Sequence, residues 1–552
     1  MKILVKSITN SEWRFVGWLA LAIMLITALP YIGGYLAAPA GYVFDGIGSL
    51  TPADNPVYYS YLRQAADGAW TLKDMFTGEE QPHGLFNIFW LVAGRLAGLA
   101  ALPPILAFHL WRLALIPVFT ALAYYFISRF YAEIPKRRLA LIFLLFSAGL
   151  GAYIIGPLSL FDFSAAVGYF TPNDIWIPES ITFLTLYKTP HFIASQIFTL
   201  LIFLLLIPGI VRPRLLNFVG AGFLALAYFN FHPFYIPVIY GTVGLFLLWQ
   251  LILAKRILWR PLLYFSIFVT LSSPAIFYHF YVLMTNPIMA ARAWQNVTIA
   301  PPFFMILIGY GLLWPLALWG IYDRWRQKQF DAYFSFLACW LAISATAVIL
   351  PSQFQSRYTQ GLHLPLVIFA VAGWEALKAY GRKNRGRFGP WLFILEDKFL
   401  LTIIFILGLG FSNIFNVARD VYYYAVKPPA VALYFYVPDA VFSGYDYLAQ
   451  QPPGTVLGSQ MIVLLTPAYA AQPVFAAHPI ETLDYERKAL YVNWFFAQDT
   501  GSEKKYEWLK REQIKYIIFG PDELAAGRFK PETKAYLKAV YTGQEVKIFT
   551  VL

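Results

Sequence analysis

Charged residues make up only 13% of this chain, so the few that interrupt its apolar stretches are the first candidates for chemistry. Asp54 opens the run Asp54-Asn55-Pro56-Val57-Tyr58, with Arg63 and His83 further along the same segment. Asp174 and Glu179 come next, followed by Lys188-Thr189-Pro190-His191. Arg357 sits in Ser352-Gln353-Phe354-Gln355-Ser356-Arg357-Tyr358, and His363 follows about two helical turns beyond Ser356. A positioned carboxylate can take a proton from a hydroxyl. An arginine fork matches phosphate at two points, and lysine or histidine adds charge or a hydrogen bond. Ionisable groups at a membrane boundary are costly when idle, which favours a function for Asp174, Glu179, Lys188 and His191. Each candidate also has a plainer reading: Asp54 as a helix cap, Arg357 as a snorkelling side chain, His83 as an interfacial anchor.

The elements that must carry these residues are membrane spans. Of 552 residues, 59% are hydrophobic and 19% aromatic, and the charged fraction is far below the roughly 25% of a soluble enzyme. The single cysteine, Cys339, lies in an apolar run, so no disulfide framework or thiolate cluster is expected. Apolar stretches long enough to span cover residues 13–36, 138–155, 191–211, 215–231, 234–254, 261–283, 303–322, 332–350, 362–380 and 399–417. Residues 84–131 add a region that Pro103-Pro104 splits into two pieces, giving about 11 to 13 spans.

Charge placement orients the chain. Residues 1–419 hold 29 Lys and Arg against 16 Asp and Glu, whereas residues 420–552 hold 13 against 14. The basic excess falls in short loops: Lys136-Arg137-Arg138, Arg212-Pro213-Arg214, Lys255-Arg256 and Arg382-Lys383-Asn384-Arg385. This is the bias of cytoplasmic loops. It predicts a cytoplasmic amino terminus, an uncleaved first span preceded by Lys2 and Lys6, and an extracytoplasmic segment 420–552. No continuous basic face appears, so nucleic acid is not an expected partner.

Two long segments, residues 39–83 and 156–190, then lie outside, and they contain nine of those 16 acidic residues, Asp162 among them. Loops this long inside a compact unit are usually functional. In the first, Asp54-Asn55-Pro56 is a helix start and Gly68 a stop, with Val57, Tyr58, Tyr61, Leu62 and Ala65 at helical spacing between them. Glu79-Glu80 reads as a solvated pair. The tail is more polar, with 27 charged residues among 133. Residues 455–457, 474–477, 514–519 and 546–551 read as strands, and 483–496, 504–511 and 532–541 as helices. The expected fold is therefore mainly α: a polytopic transmembrane helix bundle (residues 1–419) with a small C-terminal extracytoplasmic α/β domain (residues 420–552).

Asp54, Tyr58 and the Gly68-Ala69-Trp70 run resemble the first external loop of the GT-C glycosyltransferases, which commonly carry an acidic residue, a Tyr four positions on and a Gly-x-Trp near the end of the following helix. The layout is similar too, and resembles the aminoarabinose transferase and protein O-mannosyltransferase group, although those often have a second carboxylate where this chain has Asn55. His478-Pro479-Ile480-Glu481-Thr482 and Tyr516-Ile517-Ile518-Phe519-Gly520-Pro521 look like the tails of bacterial membrane proteins of the same broad group. The resemblance implies an inverting enzyme of the cell membrane, moving a sugar from a polyprenyl-phosphate donor to a glycan, lipid or protein acceptor outside the cytoplasm. It implies Asp54 as acceptor-side base, with Glu179 and Asp174 in support. Tyr58, Arg63, His83, Lys188, His191, Arg357 and His363 would bind substrate. Hard oxygen ligands at Asp54 and Glu179 would suit magnesium or manganese, and no other cofactor is expected. The competing reading is a transporter or flippase for a lipid-linked or anionic solute, which would normally carry its charges at the bilayer midplane on broken helices.

Overall fold

The computed structural model describes residues 7–155, 170–384, 398–426 and 435–552. Lys2, Lys6, Asp162 and Arg385 lie outside the described residues. Among the described residues, nine helices are long and apolar enough to cross a membrane, or ten when the bent pair Phe303–Tyr310 and Leu313–Arg326 counts as one. That is fewer than the sequence suggested, for two local reasons. Ile88–Leu99 has only 12 residues, so the region split by Pro103-Pro104 supplies a single span, Pro104–Ile127. Leu215–Phe231, at 17 residues, falls just short.

The chain forms two compact units. One comprises Met1–Leu29, Arg112–Phe277 and Thr298–Arg419. Its first helix, Asn10–Leu36, begins at a reciprocal cap: Thr9 N–H donates to Glu12 at 2.9 Å, and Glu12 N–H donates to Thr9 Oγ1 at 3.3 Å. Glu12 is also buried against Arg137 Nη1 at 3.1 Å and accepts from the Tyr124 hydroxyl at 2.6 Å. Arg137, read from the sequence as part of a loop charge cluster, thus joins two helices internally. Further along, the helix Ile134–Phe146 ends at Ser147. Asp174 accepts the N–H groups of Gly149 and Gly151, each at 3.1 Å, just past that end. Glycine is required here, since a Cβ on Gly151 would lie 2.2 Å from Asp174 Oδ1. Gly311, at φ +48°, makes the 82° bend between Phe303–Tyr310 and Leu313–Arg326.

The other unit comprises Pro30–Trp111, Tyr278–Val297 and Asp420–Leu552. Its short strands β1 (Tyr42–Phe44) and β2 (Tyr436–Pro438) pair antiparallel. A four-stranded sheet runs in the order β3 (Thr455–Leu457), β4 (Ile514–Phe519), β6 (Lys547–Val551), β5 (Leu537–Thr542). β3 and β4 are parallel, and the other pairs are antiparallel. Phe495, Phe496, Trp508, Ile517, Phe529 and Phe549 form its core, between the sheet and the helices Tyr485–Ala497 and Ser502–Arg511. Leu537–Thr542 corrects the expected helix over 532–541: β6 offers it a ladder partner, and tertiary pairing overrides a weak local preference. Val474 makes one bridge to Val456 rather than opening a full strand.

In the same unit the helix Asp54–Ala66 ends before Gly68, whose φ of +109° is the left-handed geometry of a helix stop. It packs on Ile88–Leu99, and Gly94 lets the backbones close, since a Cβ there would lie 2.5 Å from Ala65 Cβ. The segment after it is stitched to the tail. Val474 N–H donates to Met75 O at 2.9 Å, and Thr482 Oγ1 donates to Phe76 O at 2.6 Å.

Candidate functional site

Asp54 is the first helical residue, with Ala53 in the cap position and no side-chain capping bond. The Asp54 carboxylate has a partner in the tail: its Oδ1 lies 3.3 Å from His478 Nε2. His478 is held by its own turn, in which Nδ1 accepts the N–H groups of Ile480 and Glu481, each at 3.0 Å. With Nδ1 an acceptor, the ring proton sits on Nε2 and is donated to Asp54. The helix spacing puts Tyr58 and Tyr61 on the same face as Asp54. Tyr58 stacks on Trp90 at 5.1 Å between centroids, and Tyr61 hydrogen-bonds Arg292. Arg292, on the helix Pro287–Gln295, also donates from Nη2 to Glu481 Oε1 at 2.9 Å and approaches Asp74 Oδ2 at 3.9 Å. Burial, with Glu481 adding to it, pushes the Asp74 carboxyl well above the usual carboxylate range against the pull of Arg292. Asp54, His478, Asp74, Glu481, Arg292 and Tyr61 thus make one hydrogen-bonded and electrostatic group.

In the other unit, Arg357 Nη1 donates to Glu179 Oε1, with the carboxylate buried and the guanidinium partly exposed. Arg357 also acts electrostatically on His232, whose ring lies 6.2 Å from that of His191. Lys188 is the buried last residue of Thr182–Lys188, and His191 Nδ1 is bonded to Thr189 Oγ1 at 2.5 Å. The Glu179–Arg357 pair is held indirectly by His363. Its Nδ1 accepts from Thr182 Oγ1 at 3.0 Å and Thr182 N–H at 3.3 Å, and its Nε2–H is left to donate to Ser147 Oγ at 3.1 Å. A fully buried ring with both nitrogens engaged fixes the segment after Glu179.

Asp174 is enclosed as well. It is buried, and accepting the two glycine N–H groups ties it to the helix break. Burial pushes its carboxyl up to about 7, against the hydrogen bonds of Ser412, Gly151 and Gly149. Arg63 lies about two and a half turns beyond Asp54 on its helix. There it pairs with Asp67 at 2.7 Å and donates to Tyr469 O at 3.0 Å. His83 has its Nε2 bonded to Thr285 Oγ1 at 2.8 Å and its ring stacked on Tyr281. Glu79 pairs with Lys488 at 2.6 Å and is not merely solvated.

Among the described residues no group of three or more His, Cys, Asp or Glu gathers where it could hold a metal ion. Glu179 faces Arg357, and Asp54 faces His478. Sequence reasoning had not assigned roles to His478, Asp74 or Glu481. The available signal was the polar run His478-Pro479-Ile480-Glu481-Thr482 inside an otherwise ordinary small domain.

Neither a protein-family model nor a curated protein sequence matches the chain. Solved structures do, and the likeness is one of fold, in a chain with nine or ten helices long and apolar enough to cross a membrane among its described residues. ArnT from Cupriavidus metallidurans, bound to undecaprenyl phosphate, is 13% identical with a TM-score of 0.52, over 97% of this chain and 98% of that one. The archaeal oligosaccharyltransferase AglB from Archaeoglobus fulgidus, in complex with an inhibitory peptide and a dolichol-phosphate, is 12% identical with a TM-score of 0.50, over 92% of this chain and 70% of that one. At such identities the likeness establishes the fold alone.

Proposed function

We propose that this protein is a membrane glycosyltransferase that moves a sugar from a polyprenyl-phosphate-linked donor to an extracytoplasmic acceptor. The observation that carries the reading is the GT-C fold over 97% of the chain, with a carboxylate, Asp54, opening the first helix after the first span. In the reaction the bond between the anomeric carbon and the phosphate oxygen breaks, and polyprenyl phosphate leaves with the electron pair. The acceptor hydroxyl or amine forms the new bond, and Asp54 takes its proton. Attack opposite the leaving group inverts the anomeric carbon. Arg357 offers its fork to the phosphate, with Lys188 and His191 as further cationic or hydrogen-bonding partners, and Glu179 holds the guanidinium ready. Tyr58 is the proposed sugar-side ring, and the tail is proposed to lie outside the cytoplasm with the Asp54 helix.

A transporter or flippase is the second reading, supported by the 82° bend at Gly311 and by buried Asp174 at a broken helix. Purified protein supplied with labelled undecaprenyl-phosphate sugars separates the two. The enzyme reading expects label on acceptor and a loss on the order of 10²–10⁴-fold in turnover for Asp54→Asn with folding unchanged. Equal turnover in both removes Asp54 from the reaction, and unmodified lipid crossing vesicle membranes favours the flippase.

A further inference from the structure

The tail carries a five-residue turn whose work is not explained by packing its own core. His478, Pro479, Ile480, Glu481 and Thr482 close on themselves: Thr482 Oγ1 accepts the N–H groups of Ala477 and His478 at 3.1 and 3.2 Å. The turn is then pinned from two sides, by Thr482 Oγ1 donating to Phe76 O and by Gln295 Nε2 donating to Ile480 O at 2.5 Å and Thr482 O at 2.7 Å. Inside it, two backbone N–H groups fix the imidazole tautomer, and the single remaining ring proton faces Asp54. The ring is 3% exposed while the carboxylate is 28% exposed, so a buried donor steadies a carboxylate that substrate can reach.

We infer that His478 is the positioning residue of Asp54: its Nε2–H aims the carboxylate and keeps it ionised, so the tail completes the reactive centre of the first loop. The reactive role rests on the sugar-transfer reading, whereas the carboxylate's dependence on His478 does not. Among the described residues, Asp74 from the first loop acts electrostatically with His478, and Glu481 from the tail, Arg292 from Pro287–Gln295 and Tyr61 from Asp54's own helix act with Asp74. On elements packed against that helix, Arg95 donates to Gly68 O and Ala69 O, His109 bonds Gly46 O, and the Tyr469 carbonyl accepts from Arg63. A ring that donates to a carboxylate favours its charged form, so removing the donor must make Asp54 protonate at higher pH.

The test uses the full-length protein with His478→Phe, which keeps a ring without the donor, and His478→Gln, which keeps an N–H donor. A water-soluble carbodiimide with glycine ethyl ester labels protonated carboxyls, and peptide mass spectrometry reads the label on Asp54 against pH. The midpoint is expected to rise by about one pH unit in His478→Phe and to return toward wild type in His478→Gln. The acid limb of turnover on undecaprenyl-phosphate sugars should move by the same amount, with KM little changed. An unchanged labelling midpoint in folded His478→Phe overturns the inference, as does a midpoint shift that His478→Gln fails to reverse. A reversible shift without sugar transfer by the wild type keeps the pairing and sinks the glycosyltransferase reading instead.

Discussion

Two carboxylates of one type have opposite environments in this protein, and their environments separate their roles. Asp54 is part-exposed with the His478 Nε2–H against it, whereas Asp174 is buried among backbone N–H groups. Burial pushes the Asp174 carboxyl up from 3.8 to about 7, so the folded state keeps a proton that the unfolded chain releases across that window. Its contribution to stability is therefore full below pH 3.8 and declines as the pH rises toward 7. Thermal unfolding in detergent should show that decline, and Asp174→Asn should flatten it; an equal slope in both proteins would contradict the assignment. Arg357 carries the other residue-scale expectation. Replacing its fork with lysine should weaken undecaprenyl phosphate binding by about tenfold, because a point charge gives up the two-point contact. Titration of the lipid phosphate against Arg357→Lys checks this, and unchanged affinity would remove Arg357 from the donor site.

At the scale of elements, close backbone approach sets the geometry. Gly151→Ala would drive a Cβ against Asp174 Oδ1, and overpacking of this kind costs about 1–3 kcal/mol, a loss that equilibrium unfolding should detect. The same scale explains what could be read from the sequence. The helix after Asp54 and its stop at Gly68 were legible because Asx-Pro starts and glycine stops are local signals. Strands 455–457 and 514–519 were legible from their bounded β-branched and aromatic runs. Leu537–Thr542 was not, because its strand character comes from pairing with Lys547–Val551. His478 and Asp54 stand 424 positions apart, and no local pattern reports such a contact. His363, expected to bind substrate, and Asp174, expected to support the base, are buried and hydrogen-bonded in ways visible only in three dimensions.

For the whole molecule, the membrane class was legible from composition alone, since so apolar a chain has no soluble solution. The tail's involvement with the first loop was hidden, because its composition resembles any small polar domain. In the folded chain, segment 474–482 is bonded to the loop that follows the Asp54 helix, so the tail bears on the proposed reaction directly. The measurement that meets the central claim most directly is stoichiometry in proteoliposomes supplied with an undecaprenyl-phosphate sugar panel and candidate acceptors. The account predicts one free undecaprenyl phosphate formed for each sugar appearing on acceptor, with inverted anomeric configuration. Donor lipid recovered intact on the opposite leaflet, with no phosphate released and no acceptor modified, would contradict it.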